Sequence, residues 1–505
     1  MQWGHRPVCG RLAGVSHTSR LAASVTIGAL LYLVIAPGVV AQTPPRVGET
    51  TPPTTLWTVR DWTRVEWWRF FEPHPGGGDN EYLYPANRLQ VGVTRRAARY
   101  ALTGALQYVQ FANLPRAAVG PGPLGLGAVY FGHAGRSNSR QLYLRYLNAE
   151  FRNLIPGVGI QIGRMPYSSG AEGSSGNPTI EAVKQQRVAA RLVGEFEWSL
   201  FQRAYDGLRI DSVRQPWSAS FVALHPTQGG FEDAAGLMMR DVTLLGGNVT
   251  LKPDTLLRGT ELQLFAFRYD DDRNVTARPD NSGREATRVD VGVTTLGATL
   301  VAASRPRDGR QWDGLVWFAA QTGSWFDQSH RAASGVVEGG HHWAASRWQP
   351  WVRAGVTWAS GDGDPSDDRH GTFFQMLPTV RRYAQSAIYS QMNHTDVFVQ
   401  ALVRPMPSLG VRTDFHRVGL ASSRDHWYFG SGATQARGTL FGFSTRPSNG
   451  HSDLATIFET SGEYSIGRHW SVNAYVGAAR GGRVVQPEFA GRTMTFSYVE
   501  NVLQF

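Results

Sequence analysis

Apolar and polar residues alternate with a period of two along most of the chain beyond residue 55. Between Trp57 and Trp67, for example, apolar residues at 57, 59, 65 and 67 interleave with Arg60, Arg64 and Glu66. Because neighbouring side chains of a strand point to opposite faces, this pattern predicts β-strands with one apolar and one polar face, and no segment of useful length shows a helical stripe. The clearest segments are Trp57–Trp67, Tyr100–Tyr108, Arg288–Val293, Leu409–His416 and Trp470–Val476.

The connections between these segments fall into two length classes. Short turns are predicted at 94–99, 153–157, 213–216, 347–350, 405–408 and 466–468. Long loops are predicted at 72–86, 112–138, 166–198, 225–238, 271–286, 324–339, 361–393, 419–451 and 479–491. These alternating loops and turns imply an all-β protein, a transmembrane antiparallel β-barrel of about 18 strands with long outer loops and short periplasmic turns. Sandwich and propeller folds do not sort their loops in this way.

The two ends of the chain fit the same interpretation. Residues 1–41 are predicted to be a cleavable signal peptide, because arginines without acidic residues precede an uncharged apolar run from Leu21 to Val40 and a small residue, Ala41. The single cysteine, Cys9, lies in this leader. The Pro/Thr-rich stretch 42–55 is expected to be a tether. Residues 56–505 are expected to form the barrel, whose last strand ends in Phe505 and would engage the outer-membrane barrel assembly machinery.

Composition and charge bear on the solute rather than on the fold. Arginine supplies 48 of the 50 basic residues, and the formal net charge is +10, or +7 without the three arginines of the leader. A positive balance suits an anionic partner. Since a membrane barrel turns its apolar face to lipid, its lumen is polar, and about 18 strands leave an aqueous channel.

The polar faces that would line this lumen are rich in arginine. Arginine binds carboxylate or phosphate groups through two parallel hydrogen bonds, and rings of arginine select anions in pores. Some of these arginines also lie two residues from a carboxylate, which would allow ion pairs that brace the wall. The predicted lumen residues are Arg64, Arg145, Arg203, Arg209, Arg288, Arg353 and Arg412, with the carboxylates Glu66, Asp211, Asp290 and Asp414. In the segment with Arg288, this assignment places Val291 toward lipid.

The loop after Ala359 concentrates carboxylates. Glycine-spaced, oxygen-rich loops of this kind can bind Ca²⁺, and the candidate ligands are Asp362, Asp364, Asp367 and Asp368. The spacing lacks the terminal glutamate of an EF-hand loop, which favours an acidic turn over a metal site.

Histidine and serine residues give no catalytic pattern. The adjacent His341 and His342 would point to opposite faces of a strand, so they cannot chelate one ion. No nucleophile-elbow motif occurs in the sequence. We therefore predict neither enzymatic activity nor a cofactor.

Several segments resemble the alginate export family of outer-membrane proteins. The most specific is Trp351-Val-Arg-Ala-Gly-Val-Thr-Trp-Ala-Ser-Gly-Asp-Gly-Asp-Pro-Ser-Asp-Asp368, with Gly371–Phe374 after it. Ile160–Arg164, Arg191–Trp198 and Arg203–Arg209 resemble the Gly-Arg and Asp-Gly strands of the family. The resemblance implies an outer-membrane porin whose basic constriction passes an anionic uronate polymer. It implies that the lumen contains Arg64, Arg203, Arg209 and Arg353.

We predict a channel in the bacterial outer membrane that passes an anionic saccharide or another acidic solute by electrostatically guided diffusion. The expected partners are this solute and outer-membrane lipid, with no nucleic acid. One alternative is a general or small-solute porin in which the arginines only brace the wall. A second is a barrel enzyme acting on lipid or polysaccharide.

Overall fold

The computed structural model describes residues 53–121, 125–231, 234–386, 388–430 and 432–505. The predicted signal peptide, with Cys9, and most of the predicted tether lie outside the described residues. In chain order the strands are β1 (Thr54–Arg69), β2 (Glu81–Arg96), β3 (Tyr100–Phe111), β4 (Ser139–Ile155), β5 (Val158–Met165), β6 (Tyr205–Val213), β7 (Trp217–Pro226), β8 (Val242–Leu251), β9 (Thr260–Asp271), β10 (Asn274–Val275), β11 (Val291–Ala303), β12 (Arg310–Trp325), β13 (Gln328–Trp343), β14 (Trp351–Ala359), β15 (Arg369–His370), β16 (His394–Met406), β17 (Leu409–Gly419), β18 (Trp427–Gly430), β19 (Arg437–Gly438), β20 (Phe443–Arg446), β21 (Asp453–Ile466), β22 (Trp470–Gly481) and β23 (Thr493–Gln504).

Eighteen of these strands form one closed antiparallel barrel, which confirms the predicted fold class and strand number. Wall strands pair with their neighbours in chain order, and β1 pairs with both β2 and β23, so the first and last strands close the cylinder. The five short strands β10, β15, β18, β19 and β20 lie in the connecting loops. Closure satisfies the edges of the sheet, which a membrane-spanning β-structure requires.

The connections sort by length between the two ends of the barrel. The long loops at one end are 70–80, 112–138, 166–204, 227–241, 272–290, 360–393, 420–452 and 482–492. The turns at the other end are 97–99, 156–157, 214–216, 252–259, 304–309, 344–350, 407–408 and 467–469.

One of the nine predicted long loops, 324–339, is wrong. Strand β12 continues to Trp325 and β13 begins at Gln328, so a turn of two residues joins them, with Phe326 at a φ of 52°. The segment looked like a loop because its inward positions are polar, as at His330, and its outward positions are mostly small or polar. Two of the inward polar groups have partners in loops, since Gln328 accepts from Arg278 and His330 contacts His370, and the strand pattern alone does not show these contacts.

Outside the barrel, the strands present exposed apolar side chains. Examples from around the wall are Leu102, Leu142, Phe221, Leu264, Leu296, Val316, Val397, Phe415 and Val499. The residues between them point inward and include most of the buried polar and charged groups. This is the arrangement of a membrane barrel, with apolar residues toward lipid and polar residues inside.

Strand β11 has the opposite phase from the one predicted. Val291 and Val293 face the interior and are buried, whereas Leu296 points outward. The two valines pack in the same apolar cluster as Trp325. Their apolar character therefore reflects burial under the loops rather than contact with lipid, and the predicted lipid position for Val291 is wrong.

The helices are short. They are α1 (Leu126–Ala134), α2 (Pro178–Val183), which continues as a π-helical turn over Lys184–Val188, and a 3₁₀ turn over Val380–Arg382. The side chain of Asn177 caps α2 by accepting hydrogen bonds from the amides of Thr179 and Ile180, at 3.0 and 3.2 Å. Within the described residues, no helix is long and apolar enough to cross a membrane.

Candidate functional site: the barrel interior

Two long connections fold into the barrel. We call residues 166–204 loop A and residues 360–393 loop B. The loops pair with each other through a parallel bridge between Val193 and Leu377. The Gly194 amide donates to the Leu377 carbonyl at 2.8 Å, and the Leu377 amide donates to the Leu192 carbonyl at the same distance. They therefore form one connected structure inside the wall.

Loop A reaches from one side of the wall to the other. Near its helical turn, Lys184 Nζ lies 2.8 Å from Glu261 on β9. Near its end, the Trp198 carbonyl accepts a hydrogen bond of 3.0 Å from Arg64 on β1. Because β9 and β1 belong to distant parts of the barrel wall, the loop crosses the interior and narrows it.

Arg64 is at the centre of a buried ion-pair network. Its Nε donates to Glu500 on β23 at 2.7 Å, and its Nη1 lies 3.2 Å from Glu66. Glu66 also accepts hydrogen bonds from Trp68 and Tyr84, at 3.0 and 2.8 Å. Two carboxylates thus satisfy one guanidinium, and the network ties β1 to β23 where the barrel closes.

Arg145 and Arg203 meet at the end of loop A. Arg145 is the unpaired residue of a β-bulge in β4; it pairs with Glu195, and it donates to the Arg203 carbonyl at 2.5 Å. Tyr146 also donates to Glu195. Arg203 lies in loop A, two residues before β6, and its buried guanidinium is 5.4 Å from the Phe196 ring centre. The structure therefore places Arg203 inside the barrel but not on a strand.

Arg353 belongs to a second buried network. It pairs with Asp313 and lies 3.4 Å from Glu338. Glu338 in turn accepts from Arg187 of loop A, with Nη2 and Oε1 2.8 Å apart. Two arginines and two carboxylates balance in charge here, and they fasten loop A to β12, β13 and β14.

Two further predicted lumen residues form ion pairs within their own strands. Arg209 lies 2.8 Å from Asp211 on β6, and Arg412 lies 2.6 Å from Asp414 on β17. Arg412 also donates to the Arg382 carbonyl of loop B at 3.3 Å. These side chains point inward, and each arginine has a carboxylate partner two residues away.

The structure places Arg288 and Asp290 elsewhere. Both precede β11, in the loop 272–290, and both are exposed. Arg288 forms its ion pair with Asp272 of the same loop, at 3.2 Å, and not with Asp290. The predicted strand positions of both residues are wrong. The valines continue to alternate with polar residues in this loop, but there the alternation reflects packing against the barrel mouth and not a strand.

The four carboxylates of the acidic loop do not converge on one point. Asp362 is buried, and its amide donates a hydrogen bond of 2.8 Å to Asp425. Asp364 Oδ1 accepts a hydrogen bond of 2.6 Å from the Ser366 hydroxyl. Asp367 accepts from the Arg369 amide at 2.8 Å. Asp368 is exposed and lies 3.3 Å from Arg284. These contacts describe an acidic turn.

The sequence analysis did not predict several buried arginines inside the barrel, and three of them share one property. Among the described residues, Arg88, Arg191 and Arg381 have no carboxylate within 4.0 Å. Arg88 lies 3.7 Å from the Trp62 ring centre, and Arg381 lies 3.2 Å from that of Trp198. Arg88 shares the inward phase of β2 and could have been found by strand alternation. Arg191 and Arg381 lie in loops A and B, where the sequence carries no signal for orientation.

Arg381 differs from the other arginines in its hydrogen bonding. It is buried, and none of its three guanidinium nitrogens has a hydrogen-bond partner in the structure. Burial lowers the pKa of the Arg381 guanidinium to about 10, so it keeps its charge at neutral pH. A buried cation without hydrogen bonds is costly, and an anion that enters the interior would supply them.

The sequence matches one protein family. The alginate export family model matches residues 183–500. No curated protein matches the chain.

Solved outer-membrane proteins have a similar fold. One is the outer membrane protein OpdK of Pseudomonas aeruginosa, with a TM-score of 0.51 and 9% identity over 89% of this chain and 98% of that chain. A second OpdK structure, with vanillate, has a TM-score of 0.52 at the same identity and coverage. Pseudomonas aeruginosa OccK2 in complex with glucuronate has a TM-score of 0.52, 8% identity, and coverage of 89% and 98%. At these identities the likeness concerns the fold alone.

Proposed function

Because the chain belongs to the alginate export family and folds as an outer-membrane porin barrel, we propose that it is a channel for anionic saccharides of the uronate type. The proposal extends to their oligomers. The observation that carries it is the surplus of buried guanidinium groups around loops A and B. In the part of the chain that the structure describes, Arg88, Arg191 and Arg381 have no carboxylate partner, unlike the arginines of the wall networks.

The chemistry of these groups suits a carboxylate. A guanidinium presents a planar set of donors that matches a carboxylate with two parallel hydrogen bonds. Wall arginines such as Arg64 and Arg353 already use this capacity on glutamate and aspartate. We therefore assign these two to bracing the wall and the three surplus arginines to the solute path.

Related folds support the choice of solute class. The OccK2 structure contains glucuronate, a sugar acid, and the OpdK structure contains vanillate, another carboxylate. Their sequences are too distant to transfer a binding residue. They make a carboxylate-bearing solute a reasonable cargo for a barrel of this shape.

Reversal potentials in planar bilayers test the proposal. In a gradient of dilute KCl the channel should prefer Cl⁻ over K⁺, and the preference should fade toward 1 M salt as the Debye length falls to about 3 Å. Oligouronates should block the current more strongly than neutral oligosaccharides of the same length. A cation-preferring channel, or equal block by both saccharides, would favour a general porin in which the arginines only brace the wall.

A further inference from the structure

Three side chains of metal-ligating type converge on the inner wall, beside the ion pair of Arg412 and Asp414. Asp414 on β17 and Glu459 on β21 stand directly opposite each other in the strand register. His416 lies two residues beyond Asp414, on the same inward face. One ligand atom from each of the three residues lies within 4.8 Å of the other two, and all three residues are buried.

The imidazole of His416 is held with one nitrogen directed into this cluster. Its Nδ1 is 2.8 Å from Asp396 Oδ2 on β16, and its Nε2 is 3.9 Å from Glu459 Oε1. A carboxylate bonded to the far ring nitrogen is the usual outer support of a metal-bound histidine, because it fixes the tautomer and the ring orientation.

Two of the candidate ligand atoms have no other use. His416 Nε2 and Asp414 Oδ1 are buried and have no hydrogen-bond partner in the structure. Buried polar side-chain atoms normally find a partner, so two unpartnered atoms on members of one cluster indicate a missing one.

The charges around the point are unbalanced as well. Asp396, Asp414 and Glu459 bring three carboxylates together, and Arg412 is the arginine paired with Asp414. Within the described residues, His416 is the one basic side chain within 4.0 Å of Asp396 or Glu459, and the neutral hydroxyls of Tyr389 and Tyr475 donate to these two carboxylates at 3.0 Å each. Arg412 neutralises one of the three carboxylates, and a divalent cation would balance the negative charge of the other two.

We propose that Asp414, His416 and Glu459 bind one divalent transition-metal ion, with Zn²⁺ as its best representative. Zn²⁺ takes imidazole nitrogen and carboxylate oxygen at about 2.0–2.2 Å, so the ligand atoms of a tetrahedral ion lie about 3.3–3.6 Å apart. The 3.9 Å between His416 Nε2 and Glu459 Oε1 exceeds this by a few tenths of an ångström, which a small side-chain rotation on binding would close. The imidazole disfavours Ca²⁺ and Mg²⁺, which prefer oxygen ligands alone.

Such an ion would also anchor loop B. The Glu459 carboxylate accepts hydrogen bonds from the amides of Gln385 and Ser386, at 2.7 and 3.0 Å. The metal-bound carboxylate would therefore hold the segment of loop B that follows Arg381 against the wall. This inference stands apart from the proposed solute, because metal binding is measured without one.

Zinc titration of the purified full-length barrel tests the site. After chelator treatment, wild-type protein in detergent should take up one Zn²⁺ per barrel by calorimetry and by elemental analysis. His416→Gln should abolish this uptake. Asp396→Asn, which leaves the three ligands in place, should weaken it by ~10–100-fold, as loss of outer support does in other metal sites.

Asp364→Asn with Asp368→Asn provides the matched control. These exposed carboxylates of the acidic turn lie away from the site, so the double variant should keep wild-type Zn²⁺ uptake. If His416→Gln fails to fold, the absorption spectrum of Co²⁺-substituted wild type reports directly on a nitrogen- and oxygen-bound tetrahedral ion. Wild-type protein that takes up no stoichiometric Zn²⁺, or a folded His416→Gln variant that binds as wild type does, would overturn the proposal.

Discussion

The guanidinium of Arg381 stacks 3.2 Å from the ring centre of Trp198, so a cation of loop B lies on an aromatic residue of loop A inside the barrel. The Trp198 carbonyl also accepts a hydrogen bond from Arg64 on β1. The contact therefore joins both inward loops to β1 and leaves the Arg381 nitrogens without hydrogen bonds. It is the contact on which the proposed anion path depends most.

Arg381→Gln should reduce anion selectivity in dilute KCl and weaken block by oligouronates, because it removes a buried charge that has no carboxylate partner in the wall. Arg381→Lys should keep the selectivity but weaken the block, since lysine cannot make the two parallel hydrogen bonds. Single-channel recordings measure both quantities.

Arg288→Gln is the matched control for that experiment. It removes the same charge from an exposed loop residue that the sequence alone had assigned to the lumen. Selectivity and block should stay at wild-type values. An equal loss in both glutamine variants would show that total charge, and not Arg381, sets the selectivity.

Glu338→Gln should destabilise the barrel strongly. Glu338 is the carboxylate paired with the buried Arg187, and it also lies 3.4 Å from Arg353. Removing one partner of a buried ion pair typically costs about 3–5 kcal/mol. Denaturant unfolding of the refolded barrel, followed by tryptophan fluorescence, measures the loss.

The exposed pair of Arg307 and Asp308 offers the comparison for Glu338. Its charged atoms are 3.9 Å apart in a turn, and both side chains are largely in solvent. Asp308→Asn should leave the unfolding free energy unchanged within error, because exposed ion pairs contribute little. A comparable loss in both variants would argue against a special role for the buried network.

Leu296→Arg should lower barrel stability by about 2–4 kcal/mol, since it puts a charge on the lipid face near the middle of β11. Val213→Arg, at the turn end of β6, should cost only about 0–1 kcal/mol, because it lies near the membrane interface. Unfolding from lipid vesicles gives both values. Equal costs would contradict the assignment of the outward face of β11 to lipid.

The loop around Asp425 should open more easily as the pH rises. Burial raises the pKa of the Asp425 carboxyl to about 6, above the ~3.9 of an exposed aspartate. The folded loop therefore binds the proton more tightly, and this stabilisation is complete below about pH 4 and lost as the pH rises through 6. Hydrogen exchange of the amides at 425–428 measures the opening between pH 5 and 7.

Asp425→Asn should remove most of this pH dependence while keeping the side chain's size. Asp425 accepts from the Thr372 hydroxyl through Oδ2 and from the Tyr428 hydroxyl through Oδ1, at 2.6 Å each, and the amide oxygen of asparagine can still accept from one of them. A wild-type loop whose exchange is most protected at pH 7 would mean that these hydrogen bonds, and not burial, decide the ionisation of Asp425.

The sequence by itself determined the barrel. Period-two alternation predicts which residues of most strands face lipid and which face inward, because lipid requires apolar side chains and the interior accepts polar ones. The pairs Arg64–Glu66, Arg209–Asp211 and Arg412–Asp414 could be expected for the same reason, since residues two apart share a face. The alternation failed where apolar residues pack under loops, as at Val291.

Tertiary structure alone decided what fills the barrel. Loops A and B have no strand periodicity, so the sequence could not show that Arg187 meets Glu338 or that Arg381 meets Trp198. The convergence of Asp414, His416 and Glu459 likewise depends on which strands are neighbours and in which register they pair. Alternation determines which face of the wall a residue occupies. Its partners across the interior depend on the path of the inward loops, which packing and charge determine in the folded protein.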